Sequence, residues 1–276
     1  MGRHEREYSD AGVSESIGFL LIFTIIIAGI GLVTLYGYPM LMKQQVSADE
    51  QIMEKNLIVL QNDVKSLAYK TVPYKETSLK IGGGTLTVYD MNYDTTKSSE
   101  FEIFDSAGCI PNSAGDAATH DAPLIFSSGD IRYASTSAQT DISLENGAVV
   151  MRKIAQPGSV MLAEPRWFYD STTNTAVIYL IGFNTTNIIS STGVRTVQMA
   201  LVNSTYYPSC PKLPSLSYTV DIRYVPDSNV DYSTAWNTYF VNTLGMQKDP
   251  SNPDFYTFPA GTNIVIKTYE IRITSL

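Results

Sequence analysis

The sequence predicts an α+β protein, in which a long N-terminal transmembrane and stalk helix precedes an antiparallel, β-rich, sandwich-like domain. The chain of 276 residues carries no charged residue from Ser16 to Met42, which is typical of a membrane helix. Beyond Tyr74, short apolar runs alternate with turn-forming residues, as they do in strands. Only 17% of the residues are charged, while Ser, Thr, Tyr and Asn are abundant, and this composition also favours β structure.

The apolar run is densest from Ile17 to Val33. A helix needs roughly 20 apolar residues to cross a bilayer core, so the uncharged segment is long enough to span one and too long for an ordinary secretory signal. Tyr36 and Tyr38 fall where interfacial aromatic residues lie in membrane helices. Pro39 predicts either a kink or the exit of the helix from the lipid.

After Lys43 the pattern changes to polar residues with one apolar stripe, which predicts that the helix continues as an amphipathic stalk. We expect it to end near Thr71 to Pro73, because proline disfavours helical geometry in the preceding residue. The stripe needs a partner, either the chain's own β domain or the helices of neighbouring subunits. Its members are Met42, Val46, Met53, Leu57, Leu60, Val64 and Leu67.

Most of the remaining chain predicts short strands and tight turns. Gly82-Gly83-Gly84 predicts a hairpin between strands at 78–81 and 85–89, and Glu145-Asn146-Gly147 predicts a second one. In the last strand the apolar positions change parity, which predicts a bulge or break near Lys267 and Thr268. Ser233 to Leu244 predicts a short helix, with Ser233 as its N-cap and Gly245 as its stop. Further strands are predicted at 101–104, 131–134, 141–144, 148–152, 176–181, 194–201, 218–224 and 264–273.

The chemistry-bearing residues are few, and no catalytic constellation is present, so we expect a protein without enzymatic activity, cofactor or metal. His120 is the only histidine outside the leader; with Asp116 and Asp121 it could form a weak metal site, but a solvated loop histidine is the favoured interpretation. The segment from Ala107 to Pro123 that contains it predicts a long surface loop. Acidic pairs without EF-hand spacing could supply oxygen ligands to calcium. These pairs are Asp227 with Asp231 and Asp249 with Asp254.

Charge and cysteine content narrow the partners and the compartment. The formal net charge of -8 argues against nucleic acid, because affinity for phosphates comes mainly from Lys and Arg. The two cysteines, Cys109 and Cys210, could form one disulfide in an oxidising compartment, and two unrelated buried thiols are the alternative. If paired, they would close a loop worth up to about 4 to 5 kcal/mol on the chain-entropy model.

A hydrophilic leader, Met1 to Gly12, stands before the apolar run, and the run itself opens with Val13-Ser14-Glu15-Ser16-Ile17-Gly18. This arrangement resembles the class III signal sequence of archaeal type IV pilin-like proteins, including pseudopilins and archaellin-like N-termini. The resemblance covers about the first 70 residues. It implies that a prepilin peptidase cuts between Gly12 and Val13, and that the helix remains as the core of an assembly of like subunits.

Two features of the leader differ from the family pattern. Its arginines are offset by acidic residues, and Ala11 stands where a basic residue is usual before the cut. Glu15 stands where proline is frequent in the archaeal proteins. The resemblance to bacterial pilins implies that this carboxylate contacts a neighbouring subunit's new N-terminus, while an interfacial position with the side chain reaching water is the alternative.

Orientation follows mainly from the same resemblance, which implies that the C-terminal domain lies outside the cell. Two glycosylation sequons, at Asn184 and Asn203, agree with an exported domain. The predicted organisation is a leader at 1–12, a transmembrane helix at 13–42, a stalk helix at 43–72 and a β-rich extracellular domain at 73–276. The expected partners are the membrane, related pilin-like subunits and a prepilin peptidase. The alternative function is an uncleaved, single-pass surface receptor or adhesin.

Overall fold

The computed structural model describes residues 11–70, 72–92, 99–108, 110–112, 119, 121–207, 218–250 and 252–276, with side chains from residue 16 onward. The chain divides into two compact units, Met1–Ala48 and Asp49–Leu276. The long N-terminal apolar helix and the β-rich domain that the sequence predicts are both present.

The helical part consists of α1 (Ala11–Leu32), a π-helical turn (Val33–Gly37) and α2 (Tyr38–Tyr69). The π turn lies immediately before Pro39, and the Tyr38 amide donates to the Val33 carbonyl across the widened turn. Pro39 has no amide to donate, and its ring crowds the carbonyl four residues earlier, so a wider turn there relieves the crowding. The chain therefore stays helical through Pro39, and α2 ends close to the predicted position.

The second unit contains strands β1 to β14 and one short helix. In chain order the strands are β1 (Tyr74–Tyr89), β2 (Glu100–Asp105), β3 (Leu124–Ser127), β4 (Asp130–Ser135), β5 (Thr140–Glu145), β6 (Ala148–Lys153), β7 (Ser159–Ala163), β8 (Phe168–Asp170), β9 (Thr175–Asn184), β10 (Ile189–Tyr207), β11 (Val220–Val225), β12 (Gln247–Lys248), β13 (Tyr256–Thr257) and β14 (Asn263–Ser275). The helix α3 (Ser233–Asn242) lies between β11 and β12.

These strands form two sheets. The large sheet has nine strands in the order β7-β6-β5-β4-β1-β10-β14-β9-β8, and the small sheet has five in the order β12-β13-β11-β2-β3. Neighbours are antiparallel except β9 and β14, which run parallel from Asn263 opposite Thr175 to Arg272 opposite Asn184. The sequence pattern had not predicted this parallel pair, because nothing local to either strand records the direction of its partner.

The large sheet buries apolar side chains on both faces. One face packs on the stripe of α2, where Met53, Leu57 and Leu60 are fully buried. The opposite face packs on the small sheet and α3, through residues such as Ile178 and Ile266. The β domain is therefore the partner of the predicted stripe from Met53 onward.

Gly82-Gly83-Gly84 is not a hairpin; the prediction was wrong, because one continuous strand, β1, runs through all three residues. Pairing with β10 changes register between Ile81 and Leu86. The glycines allow close approach: a Cβ on Gly82 would lie 2.5 Å from Asp49 Oδ1, and one on Gly84 would lie 2.7 Å from Tyr133 Cε2. The Tyr133 hydroxyl donates to the Gly82 carbonyl at 2.6 Å. The residues thus provide backbone room within a strand rather than a turn.

The predicted hairpin at Asn146-Gly147 is confirmed. Strands β5 and β6 pair in register on either side of it, with Glu145 opposite Ala148. Asn146 and Gly147 have φ of 45° and 73°, the left-handed pair that a two-residue hairpin requires.

The predicted bulge at Lys267 and Thr268 is absent. Pairing of β14 with β9 runs through both residues without a shift. The parity changes because the core changes side: Ile264 and Ile266 belong to the cluster that packs on the small sheet, whereas Ile271 belongs to the cluster around α2. The strand alternates regularly, and different faces are covered along its length.

Helix α3 begins and ends close to prediction, and Trp236 and Phe240 lie on its buried face. The N-cap position is Tyr232 rather than the predicted Ser233, and the Asp231 carboxylate accepts the Ser233 amide at 2.7 Å. Gly245 follows the helix with φ of 68°. A carboxylate before the first turn satisfies an amide that has no partner within the helix.

Candidate functional site

The apolar helix is the first candidate site. Within the described part of the chain, one helical stretch, Ser16–Tyr69, is long and apolar enough to cross a membrane, with a mean hydropathy of 2.6 in its most apolar window. Large apolar side chains from Ile17 to Val33 are 52% to 73% exposed. So large an exposed apolar surface is unfavourable in water, and surfaces of this kind are typical of sites that contact a membrane or another protein.

Two threonine hydroxyls of this helix are satisfied within it. The Thr24 hydroxyl donates to the Leu20 carbonyl at 2.7 Å, and the Thr34 hydroxyl donates to the Ile30 carbonyl at 2.9 Å. Hydrocarbon offers no partner for a free hydroxyl, so internal bonds of this kind suit a helix surrounded by lipid or by apolar side chains.

The residues of the predicted cleavage and assembly site lie at the start of α1. Gly12, Val13 and Glu15 all fall within Ala11–Leu32, so the backbone at the proposed cut is helical here. Their side chains lie outside the described part, and cleavage and the role of Glu15 remain predictions.

The two sequons lie on either side of β14. Asn184, at the end of β9, is half-buried and its amide donates to Glu270 Oε1 at 2.6 Å. Asn203 in β10 is exposed and pairs in register with the same Glu270. Glycosylation of either residue remains a prediction; the side chain of Asn203 is the freer of the two.

Other predicted site residues fall outside the described residues or into structural roles. Cys109, Cys210, His120 and Asp116 are outside the described residues, so the disulfide remains a prediction. Asp227, a calcium candidate, is buried and accepts Arg132 Nη2 at 2.6 Å. Asp231, the other residue of that predicted calcium pair, accepts the Ser233 amide at the start of α3. Both carboxylates are thus engaged in holding the fold.

A buried polar cluster between the two sheets was not anticipated from the sequence. Arg132 on β4 donates to Asp130 at 2.8 Å and to Asp227 at 2.6 Å, and all three side chains are nearly inaccessible. Ser143 also donates to Asp130. We call this group, with Glu145 and its donors, the inter-sheet polar cluster; the donors to Glu145 are Ser99, Tyr224 and Trp236.

Glu145 is the centre of that cluster. It is 1% exposed and lies opposite Asp130 across the β4–β5 pair. Its Oε1 accepts the Tyr224 hydroxyl at 3.0 Å and the Trp236 indole N–H, and its Oε2 accepts the Ser99 hydroxyl at 2.8 Å. Burial raises the pKa of Glu145 to about 7, and nearby Asp130 adds to the rise, against the lowering by its hydrogen-bond donors.

No local pattern marks this cluster in the sequence. Glu145 lies 46 residues from Ser99, 79 from Tyr224 and 91 from Trp236. The one available cue is the polar member of each alternation in β4 and β5, namely Asp130, Arg132 and Ser143, and alternation alone does not show that these residues are buried. They are buried because the small sheet covers that face.

Comparison with known proteins places the chain among relatives of unassigned role. A protein of Archaeoglobus fulgidus, named as an uncharacterized protein, is 27% identical over 189 residues, which are 59% of this chain and 60% of that relative. The chain therefore matches less than two thirds of that relative's length. No solved structure matches. Residues 12–273 match the model of a family of unknown function, DUF7289. Since that match covers nearly the whole chain, the protein belongs to the DUF7289 family.

Proposed function

We propose that the protein is a type IV pilin-like subunit, held in the membrane by its N-terminal helix and assembled through that helix into a cell-surface filament or pseudopilus. The observation that carries the proposal is the uncharged helix, whose large apolar side chains from Ile17 to Val33 are at least half exposed. A helix of this kind can exchange lipid for the helices of other subunits with little change in apolar burial.

The division of the apolar residues supports the same proposal. In the second unit, the stripe from Met53 to Ala68 is buried by the chain's own sheet. In the first unit, Met42 and the large apolar side chains from Ile17 to Leu41 remain exposed. The buried part of the stripe packs on the chain's own β domain. The exposed apolar residues are those that lipid or a neighbouring subunit would cover.

The motif at the start of α1 supports processing before assembly. A peptidase that cuts beside the membrane needs a small residue at the scissile position, and Ala11-Gly12 provides small residues there. The leader before it carries charges that cannot enter hydrocarbon, so its removal is a condition for packing the helix among others.

An exported location for the β domain is part of the proposal. It predicts a sugar on Asn203 or Asn184 and a Cys109–Cys210 bridge. An intact mass with no excess over that of the polypeptide counted from its measured N-terminus would remove the first, and maleimide labelling of both thiols in denatured, unreduced protein would remove the second.

The test replaces the residue before the cut. Gly12→Val should block processing, leave the apolar helix intact for insertion, and keep the protein in the membrane and out of sheared surface filaments. Gly12→Ala is the matched control, because it keeps a small residue and should be processed and assembled. Glu15→Gln should be inserted and cut but assemble poorly if the carboxylate contacts a neighbour's N-terminus.

Two outcomes would contradict the proposal. Gly12→Val found in the filament fraction at the level of the control would show that cutting is unnecessary. An uncut wild-type protein displayed at the surface, with no filament fraction, would favour the anchored receptor or adhesin instead.

A further inference from the structure

The inter-sheet polar cluster carries more carboxylates than cations. Asp130, Asp227 and Glu145 are all buried, and Arg132 bonds to the first two but not to Glu145. A further cation, Arg152, is paired with Asp141 at 3.1 Å. Buried charge that lacks a counter-ion is costly, and a carboxylate in that position takes up a proton instead.

Glu145 is the carboxylate on which that proton belongs. Burial raises the pKa of Asp130 as well, but Asp130 receives a charged donor, Arg132 Nε, and the Ser143 hydroxyl, and both lower that pKa. Glu145 receives only neutral donors, the indole of Trp236, the phenol of Tyr224 and the hydroxyl of Ser99. Burial raises the pKa of Tyr224 well above its usual value, so this phenol stays protonated and remains a donor.

The hydrogen bonds around Glu145 can accommodate both protonation states. When Glu145 is ionised, Ser99 donates to its Oε2 at 2.8 Å. When Oε2 carries a proton, it can donate to Ser99 instead, and Ser99 can turn its own proton to Ser128 Oγ, which lies 3.2 Å away. Oε1 keeps its bonds to Tyr224 and Trp236 in both states. No buried donor or acceptor on Glu145 is left without a partner by the change.

We infer that Glu145 is a buried proton-binding site joining the large sheet to the small sheet and α3, and that the β domain gains and loses a proton there. The site connects β5 to three other elements: the residue before β2, strand β11 and helix α3. Charged or titratable groups facing Glu145 from these elements and from the rest of the cluster are Asp130, Arg132, Asp141, Tyr224, Asp227 and Tyr232.

The tryptophans provide a direct probe. Trp236 bonds to Glu145, whereas Trp167 donates to the Tyr179 carbonyl at 2.6 Å and contacts no carboxylate through its indole N–H in the described structure. Trp emission of the full-length protein in lipid nanodiscs, recorded from about pH 5 to pH 9, should change with one midpoint near 7, far above the ordinary glutamate range.

Glu145→Gln should abolish that transition, because the amide reproduces the hydrogen bonds of the protonated state and does not titrate. Glu164→Gln is the control. This exposed carboxylate lies near Tyr239, whose ring contacts both tryptophans, and it accepts the Thr243 hydroxyl at 3.0 Å. The control should keep the wild-type transition and midpoint.

Infrared spectra of the wild-type protein supply a second measurement, which does not depend on the folding of a variant. The carbonyl band of a protonated carboxylic acid should disappear over the same pH interval and with the same midpoint as the Trp emission. A wild-type protein without either transition, or a folded Glu145→Gln variant that keeps the Trp transition, would overturn the inference.

Discussion

Gly84 lies where β1 begins to pair with β4 and closely approaches Tyr133 and Ala134. A Cβ at this position would lie 2.7 Å from Tyr133 Cε2 and would also overlap the Ala134 carbonyl. Backbone atoms cannot move aside as a flexible side chain can, so Gly84→Ala should destabilise the β domain by about 1 to 3 kcal/mol in denaturant unfolding. Gly193→Ala is the control for backbone strain. Gly193 has a φ of 79°, but a Cβ there would have no atom within 4 Å, so this variant introduces strain without overlap. Equal costs for the two variants would contradict the close approach.

Glu145 also predicts how stability depends on pH. Its pKa is about 7 in the folded protein and 4.5 as an ordinary glutamate, so between these values the folded state binds more protons than the unfolded state. Its contribution is therefore fully present below about pH 4.5 and is lost as pH rises through about 7, a change of up to about 3 kcal/mol. Urea unfolding of the wild type should show this loss, and Glu145→Gln should lack it. A contribution that grows with rising pH over that interval would contradict the assignment.

At the residue scale, turn chemistry could be predicted and the buried cluster could not. Asn146 and Gly147 both tolerate a positive φ, so the hairpin could be predicted from these two adjacent residues alone. Glu145, next to them, depends on Ser99, Tyr224 and Trp236, which only the packing of the two sheets brings together. Alternation in β4 and β5 shows which side chains share a face, but it does not show whether a second sheet covers that face.

At the element scale, the second half of α2 forms part of the hydrophobic core of the β domain. Leu60 is fully buried against the sheet, and its neighbour Val59 is 49% exposed on the outer side of the same helix. Leu60→Ala should cost about 2 to 5 kcal/mol, because it removes apolar burial and leaves a cavity. Val59→Ala should cost less than about 0.5 kcal/mol, as exposed substitutions usually do. Similar losses in the two variants would mean that the stripe is not packed as described.

The stripe was predicted correctly as an apolar face, but its partner was left open between the chain's own domain and other subunits. Periodicity identifies a face that needs covering and gives no information about what covers it. The hairpin prediction at Gly82–Gly84 was wrong for a related reason. Three glycines indicate that side chains are not tolerated there, and both a tight turn and a close approach between strands have that requirement. In β14, the apolar residues change parity because the face of the strand that carries them changes along its length, and in the sequence this change resembles a break.

At the scale of the whole molecule, the chain separates into a helical unit with exposed apolar residues and a β-rich unit with its own core. The helix and the presence of the β domain could be predicted because hydropathy and strand patterns are local properties. The sheet order could not, since β1, β10 and β14 are neighbours in space but distant in sequence. The limit between the compact units falls at Asp49, inside the predicted stalk, because the sheet covers the helix from Met53 onward.

The N-terminus of the mature wild-type protein tests the central claim most directly, because a pilin-like subunit must lose its charged leader before its helix can pack among others. Protein extracted from membranes and protein sheared from the cell surface should both be sequenced from the N-terminus and weighed intact. We expect both to begin at Val13, with the leader ending at Gly12. Protein that begins at Met1 or Gly2 while exposed at the cell surface would contradict it.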